Sequence, residues 1–127
     1  MIYTKESKKS VKTISSQVEE SAKEHGFGIL KIYDFKKILK EKGFPIEKNI
    51  TVFELCNPQA AQKALNLHPE ISVYLPCRIS IYQKESKTII STINIEEIMG
   101  SFAIDDTFKE YMENVFNRLK NLMDSLK

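Results

Sequence analysis

The chain has 127 residues, 42% apolar and 28% charged, with 19 basic against 17 acidic side chains and a net charge of +2. That length is one domain's worth, able to bury roughly two-thirds of its unfolded surface without a disulfide or metal staple. The balance excludes a disordered chain, argues against nucleic-acid or polybasic membrane partners, which select for a basic face, and leaves no run near the roughly 18 apolar residues of a membrane span.

Residues 1–127 therefore read as a single domain. The opening MIYTKESKKS has no apolar signal core, so a cytoplasmic protein is expected. Two cysteines in such a chain read as thiols rather than a disulfide.

In chain order, residues 1–7 alternate and predict a first strand. Ser10 is the expected N-cap of a helix whose apolar face is Val11, Ile14, Val18 and Ala22, stopped at Gly26. FGILKIY over 27–33 predicts a strand, and Asp34 the cap of a second helix through Ile38 and Leu39, ended by Gly43. ITVFELC over 50–56 is the next strand. Asn57-Pro58 turns it into a helix through Ala60, Ala61, Ala64 and Leu65, which His68-Pro69 ends.

Residues 71–75 read as a short extended piece. CRISIYQ over 77–83 alternates strictly, and TIISTI over 88–93 returns as its hairpin partner across a polar turn. Residues 94–100 predict one or two helical turns. The last helix is capped by Asp105, Asp106 or Thr107 and carries one broad apolar stripe from Phe108 to Leu126. Hairpin-linked strands late in the chain predict an α+β fold, a mainly antiparallel sheet with helices packed on one face.

The two thiols attract most chemical interest. Cys56 closes one strand and Cys77 opens another, each beside a proline turn, in Cys56-Asn57-Pro58 and Pro76-Cys77-Arg78. If those strand ends are neighbours, both sulfurs converge. A helix start after Cys56 and the adjacent Arg78 favour thiolate character. Against that, free cysteine commonly packs as a small hydrophobe, and alternation puts Cys77 on one face with Ile79 and Ile81. Cys56 shares its face with Glu54 and Val52.

His25 and His68 sit at helix ends, without paired metal-ligand spacing, and no metal site is assigned. Arg78, Ser80 and Tyr82, with Glu54, form the other strand face, either an anion-binding surface or a solvated one. No phosphate-cradling glycine pattern and no nucleophile elbow is present.

Between Val52 and Ile81 the chain reads VFELCNPQAAQKAL and then HPEISVYLPCRISIY. This pair resembles the domain of unknown function 302 family, small prokaryotic proteins. Their core is a hydrophobic strand ending in Cys-Asn-Pro, an Ala-containing helix and a Leu-Pro-Cys-Arg strand. GFGILKIYDFKKILKEKG is similar to the family's Gly-Phe strand and following helix. The likeness runs over roughly residues 1 to 126. It departs near Asn94, where relatives often place a proline, and that leaves the course of residues 94–104 open.

The resemblance implies a fold like a single copy of the TATA-box-binding-protein fold, usually a homodimer, with no DNA-binding implication. No activity comes with it. What it carries over is a candidate site: Cys56, Asn57, Pro58, Pro76, Cys77 and Arg78. The expectation is a domain binding a small-molecule ligand or partner near those motifs, with its cofactor, if any, unassigned. The alternatives are a cysteine-dependent enzyme or redox protein, and a structural dimeric interaction module. Neither nucleic acid nor membrane is an expected partner.

Overall fold

Five extended segments form one antiparallel sheet in the computed structural model, which describes residues 1–101 and 103–127. In chain order the elements are β1 (Ile2–Ser7), α1 (Val11–Glu24), β2 (Gly28–Asp34), α2 (Phe35–Glu41), β3 (Ile50–Cys56) and α3 (Pro58–Leu67). A 3-10 helix over Pro69–Tyr74 follows, then β4 (Cys77–Lys84), β5 (Lys87–Ile93), α4 (Ile95–Met99) and α5 (Asp106–Leu126). The strand order is β1-β5-β4-β3-β2, and every neighbouring pair is antiparallel.

Side-chain oxygens close the helix starts, as predicted for Ser10, Asp34, Asn57 and Asp105 and unforeseen for Asn94. Ser10, Asp34, Asn57, Asn94 and Asp105 accept from Thr13, Lys37, Ala60, Glu97 and Phe108 amides, respectively. α1 and α2 stop in one way. Gly26 and Gly43 take φ of +83° and +86°, which a Cβ would oppose. The amides just beyond, Phe27 and Phe44, reach back to Ala22 and Leu39 carbonyls at 2.8 and 2.9 Å.

One face of the sheet is covered by α1 and α5. Val11, Ile14, Val18 and Ala22 from α1 meet Phe116, Leu119, Leu122, Met123 and Leu126 from α5 over Phe53, Leu55, Ile79, Ile81 and Ile90. A second apolar cluster joins Ala64, Ile71, Met99, Phe108 and Met112, tying α3, the 3-10 helix and α4 to the first half of α5.

Residues 71–74 are not extended but form the end of a 3-10 helix, and only Leu75 is extended. Pro69 starts a tight turn because its missing amide is one a helix start leaves unpaired. Ile71 and Leu75 amides then bond His68 and Ser72 carbonyls at 3.0 and 3.3 Å, and the turn plants Ile71 in the second cluster. Among the described residues, no helix is long and apolar enough to cross a membrane.

Candidate functional site

Antiparallel pairing of β3 with β4 decides where the two cysteine motifs lie. Leu55 stands opposite Cys77 and Glu54 opposite Arg78, so the end of β3 and the start of β4 meet at one sheet end. Just beyond that end is a cavity of about 300 Å³. Cys56, Asn57, Pro76 and Cys77 all line it. Both cysteines are free thiols, and the Leu75–Pro76 peptide beside them is cis.

The rest of the wall comes from elements far apart in sequence. Ala60, Ala61 and Ala64 present the short face of α3, where longer side chains would fill the space. Met112 and Val115 of α5 close the far side, Phe27 and Leu55 the base. Leu30 and Leu65 line the opening while remaining 62% and 40% exposed. Among the described residues that line it, none is Asp, Glu, Lys, Arg or His.

α3 is tied to α5 at its middle and at its C-terminal end. Lys63 lies 4.2 Å from the centre of the Tyr111 ring on α5. The His68 ring lies 4.9 Å from that of Phe108, with Nδ1 3.4 Å from Glu70. His25 is likewise engaged at a helix end, its Nδ1 2.7 Å from the Ser21 carbonyl. Among the described residues, no group of three or more His, Cys, Asp or Glu is placed to hold a metal.

Two members of the expected set do not line the cavity. Pro58 is exposed at the first position of α3. It shapes the turn and leaves the wall to Asn57 and Ala60. Arg78 follows strand alternation to the opposite face, where its guanidinium pairs with Glu54 at 3.2 Å. Glu54 also accepts from the Tyr33 hydroxyl at 2.7 Å, and that bond is the first cause of Tyr33's raised pKa. Arg78 also borders a separate, smaller space of about 40 Å³ behind Pro76 and Cys77.

Alternation groups Cys56 with Glu54 and Val52, and all three are half-buried while Phe53 and Leu55 are buried. As the last residue of β3, Cys56 shares the cavity with Leu55, because the space lies past the sheet's end rather than over one face.

The Cys77 thiol is the reverse of an activated nucleophile. Burial pushes its pKa from 9.0 up to about 11, the neighbouring Cys56 adds to the rise, and Arg78 offsets part of it. The native state thus holds this proton more tightly than the unfolded chain. The resulting stability is complete below pH 9 and is lost as pH rises towards 11. Urea unfolding across that range should show a loss of about 2 to 3 kcal/mol. A Cys77→Ala variant should lack this component, and parallel curves for the two proteins would contradict the burial.

The family model for "Domain of unknown function DUF302" matches residues 3–126. The chain belongs to the DUF302 family. The crystal structure of an uncharacterized conserved DUF302 protein from Bacillus stearothermophilus superposes with a TM-score of 0.88, at 28% identity, over 99% of this chain and 98% of that one. An uncharacterized protein of Aquifex aeolicus (strain VF5) is 37% identical over 54 residues, 42% of this chain. That stretch spans 38% of the Aquifex protein's length. The family match spans both cysteine motifs.

The sequence reading found the two motifs but missed the residues that make the space between them. Ala60, Ala61 and Ala64 read only as helix formers, and Met112 and Val115 as core stripe. The run of alanines on one side of a short helix was the available signal.

Proposed function

We propose that this DUF302 domain is a binding module for a small, largely apolar molecule held between the Cys56-Asn57 turn and Pro76-Cys77. The reading is supported above all by the charge-free cavity of about 300 Å³, at the lower end of small-molecule sites. Such a space is large enough for roughly ten water molecules, and its wall offers them few hydrogen bonds. An apolar ligand releases that water and recovers the contacts the lining lacks. Exposed Leu30 and Leu65 at its opening support entry from solvent.

In this reading the Cys77 thiol is neutral wall. A thiol with a pKa of about 11 carries almost no thiolate at pH 7, so Cys77 does not repel an apolar guest. The same protonation disfavours the alternative of an enzyme with Cys77 as nucleophile.

Titration with the uncharged fluorophore 1-naphthylamine, whose roughly eleven non-hydrogen atoms match the cavity volume, tests the proposal. Saturable fluorescence enhancement is expected for the wild type. Ala61→Trp places an indole from the half-buried wall into the space and should weaken binding about tenfold or more, with melting little changed. No wild-type binding, or equal binding by Ala61→Trp, would remove the cavity from consideration.

A further inference from the structure

Beside the cavity, two hydrogen-bond donors face one spot that carries no side chain. Asn57 lines the cavity, and its Oδ1 is committed to the Ala60 amide at 3.1 Å. That bond directs the Nδ2 limb the other way. A Cβ built on Gly26 would stand 3.9 Å from Asn57 Nδ2 and 3.8 Å from Arg118 Nη1. Gly26 is exposed and has no side chain, so nothing at residue 26 covers either donor.

Neither donor is satisfied elsewhere among the described residues. Arg118, on the exposed side of α5, makes no ion pair among the described residues, although the acids at 54, 96, 97 and 124 all have cationic partners. Asn57 Nδ2 has no acceptor among the side-chain hydrogen bonds of the described residues. Gly26 is followed directly by Phe27, which lines the cavity. An open polar corner and a charge-free space therefore adjoin through Asn57 and Phe27.

We propose that the ligand is an amphipathic carboxylic acid, its apolar chain in the cavity and its carboxylate between Arg118 and Asn57. This rests on the ligand-binding reading above and adds the chemical class. A guanidinium presents paired N–H groups that match a carboxylate, and an amide N–H completes the set. The volume suits a chain of about ten non-hydrogen atoms, taking each to occupy about the space of one water. Strand pairing, the α3 cap and the glycine-ended α1 bring these groups together from residues 26, 57 and 118.

Isothermal titration with decanoate and with decanol, which share a chain and differ in head group, tests the class. Wild type should bind decanoate about tenfold or more tightly than decanol, as a charge-assisted hydrogen bond provides. Arg118→Gln, at an exposed position, should remove that preference and leave decanol affinity unchanged. Ala61→Trp should weaken both. Equal affinity of wild type for the two, or a preference that survives in Arg118→Gln, would overturn the carboxylate assignment while leaving the cavity reading intact. Binding of neither would count against both.

Discussion

Leu122→Asp is expected to leave the chain unfolded at 25 °C. Leu122 is completely buried where α5 crosses the α1 side of the core, among residues with no charged side chain in the cluster. Removing the leucine forfeits about 2 to 3 kcal/mol of apolar burial. A carboxyl group in its place is either ionised without a partner or protonated without a hydrogen bond, at a cost of several kcal/mol more. Together these approach the whole stability of a domain this size, about 5 to 15 kcal/mol. Far-UV circular dichroism should show loss of helix, with no cooperative melt. Asn121→Asp, the same charge one residue away on the exposed side, should stay within about 0.5 kcal/mol of wild type. A cooperative, native-like transition in Leu122→Asp would mean that α5 does not bury this stripe.

Phe116→Ala should cost about 3 to 5 kcal/mol without abolishing the fold. The Phe116 ring is fully buried and meets Tyr3 of β1 edge to face, with centroids 5.9 Å apart. It thereby joins the last helix to the first strand, which lies at the edge of the sheet. Truncation leaves a void on that line and removes an aromatic pair contributing about 0.5 to 1.5 kcal/mol beyond its area. The urea midpoint should fall while the dependence on urea stays near wild type, the mark of lost packing with an intact unfolded state. A cost under about 1 kcal/mol would show that neighbouring side chains close the gap, and that the Tyr3 contact contributes little.

Local chemistry made most of the elements legible. Ser10, Asp34, Asn57 and Asp105 cap helices because a short side chain reaches an amide three residues on, a contact that needs no tertiary context. Gly26 and Gly43 mark helix ends for an equally local reason, the absent Cβ. The stripe of α5 follows from period alone, and its most apolar positions are buried. Residues 71–74 are not legible as a 3-10 helix, because such a turn has no period of its own, and branched Ile71 and Val73 favour strand when read singly.

The candidate site divides along the same line. Each cysteine's place at a strand end could be read from its neighbours, and so could the Arg78, Ser80 and Tyr82 face. The space between the motifs could not, since a cavity is a property of surfaces contributed by β3, β4, α3 and α5 together. Nor could the failure of Pro58 and Arg78 to reach it. That depends on where the sheet ends and what stands beyond the end.

By itself the sequence determined the α+β class, the element order, the closing amphipathic helix and the two motifs, because caps, proline turns and hydrophobic period act within a few residues of one another. Only the tertiary structure decided that Cys56 and Cys77 share one charge-free cavity, that Arg78 leaves it for Glu54, and that Arg118 stands with Asn57 around Gly26. These pairings join residues 20 to 90 positions apart, and strand register and helix packing, which belong to the whole chain, set them.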